Sequence, residues 1–214
     1  MFVLLFGPPG SGKGTQAVAL AARLGVPHVA TGDIFRKNLR EGTELGQRVR
    51  GYMDRGALVP DLVTCDLVGS RLEEQDAAGG VLFDGFPRSV PQLYWLIGHL
   101  GAGRRTLSAV VNLQVPDQAI LARITGRRTC TNCGATYHVV TAPPLADGSC
   151  ARCGAAVVQR QDDAEAVVRD RLVAYRAQTF PCLAELRDRV TVHDLSGEGA
   201  IDEVRRRIFA ALAL

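Results

Sequence analysis

The chain has 214 residues, 25 of them basic and 22 acidic, for a net charge of +3. That length allows one sizeable core with at most a small inserted module, and the charge is too slight to make bulk nucleic acid the expected partner. Composition is that of an ordinary globular protein, with no stretch near the roughly 20 apolar residues that span a bilayer.

Phe2 to Phe6 has the length and branching of a buried strand. It is cut off by Gly-Pro-Pro-Gly and has no basic leader, so it is not expected to be an export signal. Gly7-Pro-Pro-Gly-Ser-Gly-Lys-Gly-Thr15 follows, and Gln16 to Leu24 then reads as a helix. Strand, glycine-rich turn and helix form the context of a phosphate-binding P-loop. Glycines let successive N–H groups turn inward, the helix adds its positive end, and Lys13 supplies a mobile charge. Only two of the basic residues are lysines, Lys13 and Lys37. A chain that otherwise writes Arg keeps Lys at the P-loop position.

Val26 to Ala30 is expected as a second strand. Thr31 or Asp33 is expected to cap a helix over Ile34 to Arg40, with another over Glu44 to Arg55. After Leu58-Val59-Pro60, Asp61 is expected to cap a helix reaching Gln75. Val81-Leu82-Phe83 reads as a buried strand delivering Asp84 to its end. Gly85-Phe86-Pro87-Arg88 turns the chain, and Pro91 suits the first turn of a helix to Leu100. Leu107 to Leu113 reads as a strand and Asp117 to Ile124 as a helix.

From Gly126 to Asp163 the helical period vanishes and cysteines and glycines appear, as in an inserted module. A helix is expected from Ala164 to Leu186, a strand at Val190-Thr191-Val192 and a helix over Ile201 to Leu212. Five β-runs alternating with helices predict an α/β fold, a parallel sheet covered on both faces. Its ligand is expected at the carboxyl ends of the strands.

Asp84, ending a strand in the same sheet as the P-loop, is placed to hold Mg²⁺ directly or through water, and Asp33 is a second candidate. Arg36, Arg88, Arg123, Arg127, Arg160 and Arg171 fall at loops and module boundaries, where guanidinium forks match phosphate oxygens. Arg104 and Arg205 to Arg207 read as solvated charge. Cys130-x-x-Cys133 and Cys150-x-x-Cys153, with 16 residues between the pairs, have the spacing of a tetrahedral zinc site, with two disulfides as the alternative. Four thiolates leave no open position, so the zinc is expected to be structural. Such thiols and no export signal suit a reducing cytoplasm. Cys65 and Cys182 fall outside the pattern.

These residues together give the chain its resemblance to the adenylate kinases, in particular the long bacterial form with a metal-bearing lid. It rests on Gly7 to Thr15, Thr31-Gly-Asp-Ile-Phe-Arg36, Asp84-Gly-Phe-Pro-Arg88, Gln92, Gly126-Arg-Arg128, the four cysteines, and Arg160-Gln-Asp-Asp163 with Arg171. Thr15, one place later than the usual P-loop hydroxyl, follows that family's pattern.

The resemblance implies a P-loop core over 1–29, 60–125 and 164–214, a helical AMP-binding insertion over 30–59 and a zinc-ribbon-like lid over 126–163. It implies that Gly10, Ser11, Gly12, Lys13, Gly14 and Thr15 wrap the ATP phosphates. Arg123, Arg127, Thr136, Tyr137 and the backbone of Gly199 would complete the ATP site. Thr31, Arg36, Ala57, Leu58, Val59, Gly85, Phe86, Pro87, Arg88 and Gln92 would form the AMP site, with Arg160 and Arg171 reaching onto the phosphates. Relatives often carry Lys where Ala57 stands.

Lys13, Arg88, Arg123, Arg160 and Arg171 are the implied catalytic set, with Mg²⁺ brought by ATP and one structural Zn²⁺. A cytoplasmic monomer converting ATP and AMP to ADP is expected, with no membrane or nucleic-acid partner. The alternatives are a kinase for UMP or CMP, against which Gln92 argues as an adenine-reading amide, and a non-catalytic P-loop module binding RNA through its zinc ribbon.

Overall fold

The computed structural model describes residues 1–214. Its strands are β1 (Phe2–Phe6), β2 (His28–Ala30), β3 (Val81–Asp84), β4 (Leu107–Gln114), β5 (Arg127–Cys130), β6 (Thr136–His138), β7 (Val157–Val158) and β8 (Val192–Ser196). Five of them form one parallel sheet in the order β2-β3-β1-β4-β8, and β6-β5-β7 form a separate antiparallel sheet. The helices are α1 (Lys13–Leu24), α2 (Thr31–Glu41), α3 (Glu44–Asp54), α4 (Asp61–Leu72), α5 (Val90–Ala102), α6 (Asp117–Thr125), α7 (Glu165–Ala174), α8 (Pro181–Arg187) and α9 (Ile201–Ala211).

Period-two alternation along β1 decides how the sheet is covered. Phe2, Leu4 and Phe6 face one way, joining Val81, Phe83 and Val110 against apolar residues of α4, α5 and α8. Val3 and Leu5 face the other way, with Leu82, Val111 and Leu113 against α1 and α9. The first strand is buried throughout, as expected of a central strand in a doubly covered sheet. β3 runs beside β1 with Leu5 opposite Asp84. The P-loop and Asp84 therefore leave the sheet side by side at its carboxyl edge.

Several boundaries differ from the sequence reading. The helix expected to start after a Thr31 or Asp33 cap instead starts at Thr31, with no side-chain cap. Thr31 Oγ1 donates to the Gly85 carbonyl at 2.8 Å, and Asp33 accepts from Arg36. Asp61 likewise does not cap its helix but opens it. Its carboxylate turns to α5, where Ser89 Oγ and Gln92 Nε2 donate to it.

The single helix expected to reach Leu186 is broken by a π turn at Tyr175–Thr179. Pro181 has no N–H and crowds the preceding turn, so the ladder loosens and Phe180 N donates to Tyr175 O. The last strand is centred later than expected because its partners are Val110 to Gln114. His193 and Asp194 lie in it as an edge strand, where a polar sequence reads poorly. Cys65 and Cys182 belong to the larger core cluster.

Candidate active site

Gly12 ends the loop in a left-handed conformation and Lys13 opens α1, so the free N–H groups of the first helical turn face the loop. Gly10 is required for space as well as backbone freedom: a Cβ there would lie 2.6 Å from Ile124 of α6. Lys13 Nζ folds over the loop, donating to the carbonyls of Gly7 and Pro8 at 2.7 and 2.8 Å. Burial pushes its ammonium down to about 8, more than Asp84 restores, and Arg88, Arg171 and Arg127 add to the push.

Asp84 stands across from this loop, 3.5 Å from where a Cβ on Gly14 would sit. That carboxylate beside the P-loop fits the hard-oxygen chemistry of a magnesium site. His28 Nε2 lies 3.3 Å from Asp84 Oδ2. Sequence reading gave His28 no role, because its partner is 56 positions away.

Between the loop and α2–α3 runs a cleft lined by Thr31, Arg36, Ala57, Leu58, Val59, Gly85, Arg88, Gln92 and Arg171. All nine carry an expected nucleotide role. Phe35 and Asp162, which lie within quoted motifs but were given no role of their own, line it too, as do Met53 and Thr64, which no motif had singled out. Phe86, one of the expected residues, is instead buried in the core under α5, where its ring meets Trp95 edge-on. Arg88 Nε donates to the Gly85 carbonyl at 2.6 Å.

The expected arginines converge here. Arg127 makes a two-pronged pair with fully buried Asp163. Arg171 Nη1 donates to Asp162 at 3.0 Å, and Arg36 lies 4.0 Å from the same carboxylate. Arg160 Nε donates to Thr129 Oγ1. Burial and the neighbouring guanidiniums push Arg88 and Arg160 down to about 10, still charged at neutral pH. Asp162 shows the converse balance: burial raises its carboxyl, but Arg171, Arg36 and Arg127 outweigh it and hold it below the carboxylate range. Lys13, Arg36, Arg88, Arg127, Arg160 and Arg171 outnumber the carboxylates of Asp33, Asp84, Asp162 and Asp163 among them, giving the row an excess of positive charge suited to polyphosphate.

The row extends along the far side of the loop. Arg123, on α6, donates to the Gly197 carbonyl at 3.0 Å. Arg207, exposed on α9 as expected, also donates to the Ser196 and Glu198 carbonyls at 3.1 and 2.6 Å. Gly199 lies in that loop with a φ of 102°, which favours glycine.

A family model described as adenylate kinase matches residues 5–190. The chain belongs to the adenylate kinase family. It is 47% identical over 212 residues to an adenylate kinase of Caldanaerobacter subterraneus subsp. tengcongensis, covering 99% of this chain and 96% of that one. An adenylate kinase of Thermoanaerobacter sp. strain X514 is likewise 47% identical, with 99% and 98% covered. One from Clostridium botulinum strain Loch Maree is 45% identical over 204 residues, with 95% and 94% covered.

In this adenylate kinase family member the four cysteines lie on two matching turns. Gly134 N donates to Cys130 O and Gly154 N to Cys150 O, both glycines being left-handed. The four sulfurs lie within 4.8 Å of one another, with Cys130–Cys153 and Cys133–Cys150 separated by 3.5 and 3.6 Å. A zinc–sulfur bond of about 2.3 Å implies tetrahedral edges of about 3.8 Å, so this donor set fits such an ion. No sulfur is bonded to another. The Tyr137 hydroxyl lies 3.2 Å from Cys150 Sγ and accepts from Ala151 N at 2.9 Å. Thr136 is exposed on β6, opposite Thr129.

The Arg127–Asp163 pair joins this cysteine-bearing sheet to the row of cations, and its partners are unequal. Asp163 has 0% of its side chain exposed and Arg127 22%. Asp163→Ala leaves a guanidinium without its counter-charge in a site already crowded with cations. The substitution is expected to cost about 3 kcal/mol, the low end for a broken buried pair, and a urea titration measures it.

Proposed function

We propose that the protein transfers the γ-phosphoryl group of magnesium-bound ATP to AMP, giving two ADP, as a cytoplasmic monomer. The single observation that carries this reading is one row of cations running from the P-loop to the cleft under α2. Lys13 at the P-loop stands at one end, Arg36 in the cleft under α2 at the other, and Arg88, Arg127, Arg160 and Arg171 lie between. A simple binding module has no need of a second site at the far end of such a row.

In this reading the ATP phosphates lie on the loop from Gly10 to Thr15, against the first turn of α1. Arg123, Arg127, Thr136, Tyr137 and the Gly199 backbone surround the rest of that nucleotide. Asp84 would hold Mg²⁺ through water, with Asp33, which pairs with Arg36, as the second candidate, and the ion would neutralise phosphate charge. Arg88 and Arg36 orient the AMP phosphate, whose oxygen is already anionic and needs no general base. Lys13, Arg160 and Arg171 lie where charge develops during transfer.

Arg36 on α2 lies 4.0 Å from Asp162 within residues 126–163, and closure of these two pieces over the phosphates would exclude the water that diverts the phosphoryl group. The four cysteines hold zinc, which orders the lid and takes no part in the transfer.

No helix is long and apolar enough to cross a membrane.

A coupled assay with ATP and each nucleoside monophosphate in turn tests the assignment. Efficient transfer to AMP supports it, while a preference for UMP or CMP replaces it with another kinase, and no transfer to any monophosphate favours a binding module. Gln92→Leu is expected to weaken use of AMP by about 1–3 kcal/mol per lost polar contact. Equal kcat/KM for AMP in variant and parent removes Gln92 from base recognition.

A further inference from the structure

Gln92 is almost wholly buried in the first turn of α5, and its amide is gripped from both ends. Its Oε1 accepts from the backbone N–H of Arg88 at 2.7 Å. Its Nε2 donates to Asp61 Oδ1 at 2.7 Å. The same Oδ1 accepts from Ser89 Oγ at 2.9 Å, and Ser89 caps α5 by accepting from Gln92 N. A backbone N–H can only donate and a carboxylate can only accept, so chemistry fixes which end of the amide is which. Turning it over would set the NH₂ group against Arg88 N–H and the carbonyl against a carboxylate.

Each end of the amide still has one valence unused, a second lone pair on Oε1 and a second N–H on Nε2. Gln92 lines the cleft, so those valences are what it has to offer a base. A free glutamine reads two edges by flipping: adenine, with an amino donor beside a ring acceptor, and hypoxanthine, with a carbonyl acceptor beside a ring N–H. A fixed one reads only one of them, and in the proposed AMP site that one is adenine.

We propose that Asp61 is the specificity-determining positioning residue of this site. It locks the Gln92 amide in the sense that matches a 6-amino purine and opposes a 6-oxo purine. The inference rests on the proposed AMP site and deepens it. Asp61 touches no substrate and acts through Gln92. Its contribution is discrimination, because a base of the wrong edge meets donor against donor and acceptor against acceptor.

The test compares kcat/KM for AMP and for inosine monophosphate in parent, Asp61→Asn and Asp61→Leu. A ratio of the two is independent of how much enzyme is folded. Both bonds to Asp61 fall on one oxygen, which asparagine can supply, so Asp61→Asn is expected to keep the ratio within about threefold of parent. Asp61→Leu offers no acceptor, and the ratio is expected to fall tenfold or more, AMP losing and inosine monophosphate gaining relative ground. Should the leucine variant fail to fold, Ser89→Ala, which frees Asp61 to drift, is expected to lower the ratio in the same direction.

An unchanged ratio in active Asp61→Leu, or in Ser89→Ala where that variant replaces it, overturns the proposal, as does a loss in Asp61→Asn as large as in Asp61→Leu. Failure of the underlying reading shows separately: the parent itself then transfers nothing to AMP.

Discussion

Lys13→Met is expected to lower phosphoryl transfer by about 10²–10³-fold, the scale seen when one charge-stabilising donor is removed. Lys13 is the one flexible primary ammonium at the loop, and no neighbour can replace it, since Arg88, Arg127 and Arg171 are held by their own partners. Methionine keeps the aliphatic stem and the opening of α1, so the loop's shape survives.

The same substitution carries a stability signature of defined sign. Folding lowers the Lys13 ammonium from its ordinary value to about 8. Between about 8 and the free value of 10.5 the unfolded chain therefore binds more protons, and the parent gains stability as pH rises through that window. Below pH 8 the buried charge is a standing cost that methionine lacks. Relative to parent, Lys13→Met is expected to be most stable near pH 7 and to lose that advantage on going to pH 10. Denaturant titrations at the two pH values measure it. Turnover within tenfold of parent removes the role, and a pH-independent difference removes the electrostatic account.

How much of this was legible in the sequence follows the range of each interaction. The P-loop was readable because strand, turn and helix are local and the glycines have steric reasons that do not depend on the rest of the fold. The position of Asp84 was readable because an apolar run delivers its last residue to the carboxyl edge of the sheet, beside the P-loop. The cysteine spacing was equally local, and the structure brings both pairs together.

Side-chain partners were not legible where the contact is distant. Asp61 looks like a helix cap by every neighbour it has in sequence, yet its bond to Gln92 spans 31 positions. Thr31 was misread for the same reason, its true acceptor being Gly85 on the other side of the cleft. Arg207 is exposed as read, but its carbonyl partners at 196 and 198 were not legible, because only folding brings that loop over α9. Local propensity sets the elements, but a polar side chain goes to whichever unsatisfied group the tertiary fold presents.

Removing the lid metal is expected to have the largest effect on stability and a small one on the chemistry. Residues 126–163 bury no apolar side chain apart from the thiols of Cys130 and Cys150, and Val139, Val140, Leu145 and Val158 are exposed. Hydrophobic burial therefore cannot order this segment. A Cys₄ site can, since structural zinc contributes on the order of 10 kcal/mol in small metal-dependent folds. The five-stranded sheet, with its own two clusters, does not draw on that energy. Cys150→Ser or a strong chelator is accordingly expected to lower the melting temperature and loosen residues 126–163 in hydrogen exchange. Transfer at 25 °C should persist, because Lys13, Arg88 and Asp84 lie outside the segment, although Arg127 and Arg160 lose some of their positioning. Elemental analysis of the parent is expected to find about one zinc per chain. A metal-free parent with reduced, unmodified thiols overturns the zinc site, and abolished transfer in a folded, metal-free variant overturns its purely structural role.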